Sequence, residues 1–167
     1  DRFMMEIPIV VPDDDDIMQS LVFDTKFHDV DTLINSLKAN VLKFDKLNDF
    51  SHIVQNEIEA SETLRNYALN LWRATKKPTD YGVKVSGVDM NRLVLSGASP
   101  RGMSMMLRAA RVNAWLNERH AVTPEDIHAV FHSTVAHRLV FSPVYEMRRT
   151  EIARDLLTGI INAVAAP

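Results

Sequence analysis

The strongest constraint on the fold is the helical period of the apolar side chains that follow Pro100. Ser99 can cap a helix at this point, and Pro100 suits the first helical position because its fixed φ and missing N–H are tolerated there. The residues after it place apolar side chains on one face at the 3.6-residue period: Met103, Met106, Leu107, Ala110, Ala114 and Trp115. This pattern predicts an amphipathic helix that begins at Pro100 and contributes one face to a core.

A second helix start follows at Thr123, which is the predicted N-cap. Pro124 takes the first helical position and Asp126 the third, which is close to a capping box. Other apolar stripes show the same period. They predict helices within residues 17–22, 29–37, 49–59, 61–75 and 145–165.

The N-terminal residues 4–11 are apolar and end in β-branched side chains. Pro8 lacks the N–H that a central strand needs, so it restricts this segment to an edge strand or an extended tail. Because the first residues begin inside this segment and do not form a signal peptide, we expect the chain to be a piece of a longer protein. The predicted fold class is all-α, a small helical bundle with a short N-terminal strand or extended tail.

The length of 167 residues predicts one domain, or one domain with an appendage, and 46% hydrophobic residues support an ordinary packed core. The net charge is −3. A chain of this length can bury about 70% of its unfolded surface without a disulfide or a metal. Cysteine is absent, which excludes thiol chemistry and fits a reducing compartment, so we expect a cytoplasmic location. With no apolar run of roughly 18 residues and no cationic excess, we expect neither a membrane nor a nucleic-acid partner.

Two clusters of metal-binding residue types have simpler interpretations. His128 and His132 have the i,i+4 spacing of zinc proteases, but Ala129 occupies the place of the usual glutamate and a third ligand is missing. The aspartates of residues 13–16 lack the glycine and the terminal glutamate of a calcium loop. We interpret the histidines as ordinary helix residues and the aspartates as a solvated helix start, and we predict no metal site.

The sequence contains no complete catalytic site. It has no GxSxG serine motif, no GxxxxGK[ST] phosphate loop and no hydrophobic strand that ends in Asp-Glu. We therefore expect the chain alone not to hydrolyse a nucleotide.

One interpretation of a cluster of methionines is that it lines a hydrophobic groove, but the helical spacing of these residues favours a place in the core. The residues concerned are Met103, Met105 and Met106, and we interpret Trp72 and Trp115 as core or interface anchors.

The octapeptide LSGASPRG, residues 95–102, places Arg101 at the second position of the predicted helix. The positive end of the helix macrodipole disfavours a cation there. Arg101 is explained if an anion binds, because first-turn N–H groups and the guanidinium would then act together. The other interpretation is a solvent-facing arginine that follows a capping pair, and the residues alone leave both interpretations open.

Several spaced motifs closely resemble the C-terminal lid of MoxR-type AAA+ ATPases. The family pattern is GASPR, then LLRAARA, then a V-TP-DD helix start, then a histidine-arginine-leucine end. The matching positions here are residues 97–101, 107–111, 122–126 and 137–139. The opening DRF also resembles the family's LDRF, which lies just before the end of the nucleotide-binding core. The strong part of the resemblance covers residues 97–141, with weaker agreement over residues 1–22 and 49–76.

The resemblance implies a fold of the AAA+ lid type and a set of site residues. Residues 1–12 would be the last strand or tail of the nucleotide-binding core, and residues 13–167 would be the helical lid. Arg2 would be an arginine finger that acts on the nucleotide of a neighbouring subunit. The sensor-2 residue, which reaches the γ-phosphate of ATP in the same subunit, would be Arg101, within a nucleotide-binding segment that includes Gly97, Ser99 and Pro100. The core domain would hold Mg²⁺.

The implied function is to couple ATP binding and hydrolysis to subunit movement in a chaperone-like assembly machine. The implied partners are the protein's own AAA+ core, neighbouring subunits of a hexameric ring, and a protein with a von Willebrand factor A domain. Residues 23–48 and 77–92 and the helix after Pro143 exceed a minimal lid, and the sequence assigns them no role.

Two alternative functions stay open at this point. One is a stand-alone helical adaptor that binds protein partners through its terminal helix. The other is a nucleic-acid binder, which the negative net charge and the lack of interleaved aromatic residues disfavour. Its candidate contacts would be Arg101, Arg108, Arg111 and Arg119.

Overall fold

The computed structural model describes residues 2–37 and 43–167. As predicted, this part of the chain is helical, with a sheet of only two short strands. Its α-helices are α1 (Asp15–Phe23), α2 (Val30–Ser36), α3 (Leu47–Glu57), α4 (Glu62–Lys76), α5 (Met90–Leu93), α6 (Pro100–Leu116), α7 (Pro124–Val135) and α8 (Arg149–Ala163). The strands are β1 (Val94–Ser96) and β2 (Val140–Phe141). Over the described ranges, no helix is both long and apolar enough to cross a membrane.

The chain divides into two compact units. The first contains residues 2–7 and 52–167, and the second contains the described part of residues 8–51. In the second unit, the aspartate-rich segment is a helix start, as predicted. The Asp14 carboxylate caps α1 by accepting hydrogen bonds from the N–H groups of Asp16 and Ile17, at 3.0 and 3.1 Å. Asp29 caps α2 in the same way, and no described residue of this unit is buried.

The core of the first unit is built from α4, α6, α7 and α8. The predicted stripes point inward, since Leu71, Met106 and Phe131 are fully buried. Burying one such side chain stabilises the fold by about 1.5–3 kcal/mol. The apolar stripe of α8 is also buried, through Ile152, Ala153, Leu156, Leu157 and Ile160. The terminal helix therefore uses its apolar face within the domain.

Helix α7 begins as the sequence predicts. Thr123 is its N-cap, Pro124 is its first residue, and the Asp126 carboxylate accepts from the Thr123 N–H at 2.9 Å. The Asp126 side chain is fully buried, and it also accepts from Arg119 Nη2 at 2.6 Å and from Asn113 Nδ2 at 2.8 Å. The carboxylate thus joins the end of α6, the following loop and the first turn of α7.

The N-terminal segment is an extended tail, since residues 2–12 contain no strand. Its Glu6 N–H donates to the Ser133 carbonyl at 2.8 Å, which fastens it to the end of α7. The two strands lie elsewhere: β1 pairs antiparallel with β2, and Val94 stands opposite Phe141. Their residues are far apart in sequence, so local patterns could not predict the pairing.

The start of the terminal helix differs from the predicted one. The terminal helix was expected from Tyr145, but residues Pro143–Arg148 form a 3₁₀ turn and α8 begins at Arg149. The segment of residues 77–92 contributes Val83 and Val85 to the core. This segment is part of the packed domain, which explains its length.

Candidate functional site

The loop before α6 is held against the C-terminal end of α4. Trp72 Nε1 donates to the Ala98 carbonyl at 2.7 Å, and the Ala98 N–H donates to the Thr75 hydroxyl at 3.2 Å. Ala98 and Thr75 are both fully buried. Ala98 is therefore held through its backbone N–H and its carbonyl by two side chains of α4.

Gly97 is required by a close approach of two backbones. A Cβ at this position would lie 2.7 Å from the Thr75 carbonyl oxygen and 2.8 Å from the Lys76 nitrogen. Backbone atoms cannot move aside as a flexible side chain can. The glycine of the GASPR motif thus permits the loop to lie directly on the end of α4.

The first turn of α6 is capped as predicted. The Ser99 hydroxyl accepts from the Gly102 N–H at 3.0 Å, and Pro100 occupies the first helical position. Gly102 is also a point of close contact, because a Cβ there would lie 2.5 Å from Cδ of Arg138. Arg138 therefore lies directly beneath the first turn of α6.

Arg101 is exposed at the second position of α6. Among the described residues, its side chain forms no hydrogen bond or ion pair, and the first turn of α6 contains no acidic residue. Its neighbour Arg138 is buried, and this burial, together with the positive charge of Arg101, lowers the pKa of Arg138 below the usual arginine value. The exposed guanidinium of Arg101 thus lies beside the free N–H groups of a helix start, an arrangement that an anion would stabilise.

Arg2 is exposed, and the residues that follow it are bound to the 3₁₀ turn of Ala136–Arg138, directly after α7. The Phe3 carbonyl lies 3.3 Å from Nε2 of His137 and accepts from Nη2 of Arg138. The Met4 carbonyl accepts from Nη1 of Arg138 at 3.1 Å. Within the described residues, no hydrogen bond joins Arg2 to Arg101, but Arg138 contacts the segments that carry both.

The two spaced histidines have different environments. His128 lies 2.7 Å from the Tyr67 hydroxyl through Nε2, and His132 is exposed. In the part of the chain that the structure describes, no three His, Cys, Asp or Glu side chains are grouped so that they could hold a metal ion.

Sequence reasoning identified the GASPR segment but not the residues that hold it. Trp72 was interpreted as a core or interface anchor, and its hydrogen bond to Ala98 was not expected. Arg138 was quoted only as part of a motif, with no role. The motif placed Arg138 between His137 and Leu139. It could not show that Arg138 is buried, because that burial depends on residues distant in sequence.

Residues 90–157 match the family model of the AAA lid domain. Over all 167 residues, the chain is 44% identical to Protein MoxR of Methylorubrum extorquens and 38% identical to Protein MoxR of Paracoccus denitrificans. The chain carries the AAA lid domain of the MoxR family. A further relative, Chaperone MoxR1 of Mycobacterium tuberculosis, is 31% identical over 105 residues, which are 62% of this chain and 26% of that protein.

The chain spans about half the length of the curated relatives it matches, 49% for both MoxR proteins. Because these alignments cover the whole chain, the segments of residues 23–48 and 77–92 have counterparts in the relatives too. An inferred ATPase of Cytophaga hutchinsonii has a solved structure with the same fold, at a TM-score of 0.76 and 23% identity. That likeness covers 99% of this chain and 47% of the other, and it concerns the fold alone.

Proposed function

We propose that this MoxR-type lid binds the γ-phosphate of ATP through Arg101, as a sensor-2 residue, while the nucleotide lies on the AAA+ core of the same subunit. The observation that carries the proposal is the exposed guanidinium of Arg101 on a helix start that contains no acidic residue. Gly97, Ser99 and Pro100 belong to the same nucleotide-facing segment. When bound, ATP supplies the phosphate anion, and Mg²⁺ is held by residues of the core.

The way in which the loop is held supports the proposed coupling of nucleotide state to subunit movement. Ala98 is fixed to Trp72 and Thr75 of α4, and Ser99 is fixed to the first turn of α6. A displacement of Arg101 therefore moves α4 and α6 together. Loss of the γ-phosphate removes the anion between Arg101 and the core, so the lid as a body is free to rotate.

Arg2 serves, in this proposal, as an arginine finger for the nucleotide of a neighbouring subunit in a hexameric ring. Its exposure leaves the guanidinium accessible to another molecule. Two hydrogen bonds from Arg138 hold the carbonyls of Phe3 and Met4, and His137 Nε2 lies 3.3 Å from the Phe3 carbonyl, so the segment next to Arg2 is held in place. A finger must be held rigidly, because its contribution to turnover depends on its position.

The wider role that we propose is a chaperone-like machine that assists the assembly or maturation of other complexes in the cytoplasm. A protein with a von Willebrand factor A domain is the partner class implied by the family resemblance. The absence of cysteine from all 167 residues fits a reducing compartment. The alternative of an adaptor that binds through its terminal helix is weakened, because the apolar stripe of α8 is buried in the core.

The test of the sensor-2 role uses the full-length protein that contains this chain. Arg101→Ala is expected to lower ATP turnover about 100-fold or more, since it removes a charged donor to the transferred phosphoryl group. Arg108→Ala is the matched control, because Arg108 is also exposed on α6, and it is expected to keep turnover near wild type. Thermal unfolding checks that both variants fold. Wild-type turnover in Arg101→Ala would overturn the proposal.

The test of Arg2 uses mixed rings. Arg2→Ala subunits are mixed with subunits whose phosphate loop is defective but whose Arg2 is intact. If Arg2 acts across the subunit boundary, turnover is restored in the mixed ring at those interfaces where an intact Arg2 faces an intact phosphate loop. Turnover that stays at the level of the separate variants at every mixing ratio contradicts a role in trans.

A further inference from the structure

Arg138 is a buried cation that binds parts of the chain distant in sequence. Only 7% of its surface is exposed. Its guanidinium donates to the carbonyls of Phe3, Met4 and Thr134, and Nη2 also lies 3.0 Å from the sulfur of Met105. It thereby joins the N-terminal tail, the end of α7 and the second turn of α6.

The aliphatic part of Arg138 makes a different contact. Its Cδ and Nε fill the space where a side chain at position 102 would stand, at 2.5 and 2.9 Å from an ideal Cβ. Gly102 directly follows Arg101 in the first turn of α6. One side chain therefore supports the turn that carries Arg101 and also holds the segment that carries Arg2.

We infer that Arg138 is a positioning residue that fixes Arg101 and Arg2 relative to each other, and so links the nucleotide site of its own subunit to that of the neighbour. This inference rests on the proposed function. Arg138 itself contacts neither nucleotide. Movement of α6 on loss of the γ-phosphate is passed through Arg138 to the tail, which changes the position of Arg2 at the adjacent site.

The chemistry of Arg138 suits this role better than that of a simple core residue. A buried charge is expensive, and an apolar side chain of similar volume is often as stabilising or more so. The guanidinium is a rigid fork that donates to the Phe3 and Met4 carbonyls at the same time, whereas a lysine ammonium is a point charge on a flexible stem. Arg138→Lys therefore keeps the charge and removes the simultaneous hold on the tail.

The first measurement is amide hydrogen exchange of this chain. In Arg138→Lys, exchange of the Glu6 N–H, which is bonded to the Ser133 carbonyl, is expected to rise about 10-fold, because the neighbouring tail is released. Amides in the middle of α8 are expected to be unchanged. Arg154→Lys, an exposed arginine of α8, is the matched control. Unchanged exchange at Glu6 in Arg138→Lys would overturn the inference.

The second variant, Gly102→Ala, perturbs Arg138 from the side of α6. Gly102→Ala leaves the arginine intact but pushes on its Cδ. If Arg138 links α6 to the tail, the Glu6 amide again exchanges faster, although the structure gives no contact between Gly102 and Glu6. Protection at Glu6 equal to that of the wild type in a folded Gly102→Ala protein counts against the link. This variant decides the question even if Arg138→Lys does not fold.

The third measurement is ATP turnover of the full-length protein in a double-mutant cycle. Arg138→Lys is expected to lower kcat about 10- to 100-fold, with little change in KM. In a background that carries both Arg101→Ala and Arg2→Ala, the same substitution is expected to add almost nothing, because Arg138 acts through these two residues. If Arg101→Ala and Arg2→Ala both turn over at the wild-type rate, the proposed function fails. If they lose turnover but Arg138→Lys lowers it by the same factor in every background, only the positioning role fails.

Discussion

Trp72 Nε1 donates a hydrogen bond of 2.7 Å to the carbonyl oxygen of Ala98, three residues before Arg101. The indole also lies under a cation, with Lys76 Nζ 4.2 Å from its ring centre. Through this hydrogen bond, Trp72 helps α4 to hold the GASPR loop in place. Any change that loosens this bond shifts the start of α6 and, with it, the guanidinium of Arg101.

Trp72→Phe is expected to lower the free energy of unfolding of the chain by about 1–2 kcal/mol, because a smaller aromatic ring replaces the indole and the Ala98 carbonyl loses its donor. Trp115→Phe is the matched control, since Trp115 is 44% exposed and the structure gives its indole no hydrogen bond among the described residues. Urea unfolding measures both. Equal losses for the two tryptophans would mean that the Ala98 bond contributes nothing of its own.

Gly97→Ala is expected to destabilise the chain by about 1–3 kcal/mol, since the new methyl would overlap backbone atoms of Thr75 and Lys76. Gly159→Ala is the matched control within α8. There the new Cβ would meet a single side-chain methyl, of Val83, at 2.9 Å, and the gain in helix propensity of about 1 kcal/mol offsets part of that cost, so a smaller loss is expected. Thermal unfolding of the two variants should therefore differ clearly. A Gly97→Ala protein as stable as Gly159→Ala contradicts the close approach.

The helices that could be predicted from the sequence are those with a local start signal. Ser61, Ser99 and Thr123 each cap a helix where the pattern placed it, because a cap and its first turn lie within four residues of each other. The apolar stripes then identified the buried faces. The GASPR segment was found for the same reason, since its glycine, cap, proline and arginine are contiguous.

The contacts that hold the site could not be predicted in this way, because they join residues far apart in sequence. Arg138 is buried by a tail more than 130 positions away, and Trp72 reaches Ala98 across the α4–β1 connection. Tyr145 was expected inside the terminal helix, yet it lies in a 3₁₀ turn and its hydroxyl accepts from the Asp89 N–H at 3.0 Å. The sequence pattern cannot reveal such partners.

Asp126→Ala is expected to cost about 3 kcal/mol, because it leaves the Arg119 guanidinium and two neutral donors without their buried acceptor. Glu125→Ala at the adjacent exposed position is the matched control and is expected to have a much smaller effect. Urea unfolding of both variants at neutral pH gives the comparison. A loss in Asp126→Ala no larger than in Glu125→Ala would rule out the buried network as a main stabiliser of the α6–α7 connection.

Ionisation of the Tyr67 hydroxyl is expected to lower the free energy of unfolding at alkaline pH. Burial, and secondly the negative charge of Glu125, raise the pKa of Tyr67 above its ordinary value of 10.0. The folded protein therefore holds this proton more strongly than the unfolded chain does. The corresponding stability is fully present below about pH 10 and is lost as the pH rises through the folded pKa.

Comparison with Tyr67→Phe isolates this contribution from those of other groups. The difference in unfolding free energy between the wild type and Tyr67→Phe is expected to be constant from pH 7 to about pH 9 and to shift against the wild type above about pH 10. Tyr81→Phe serves as the control, since Tyr81 is only partly buried. Urea unfolding at a series of pH values measures the difference. A difference that stays constant through pH 11 contradicts the raised pKa, because a tyrosine that titrates alike in both states leaves the stability unchanged.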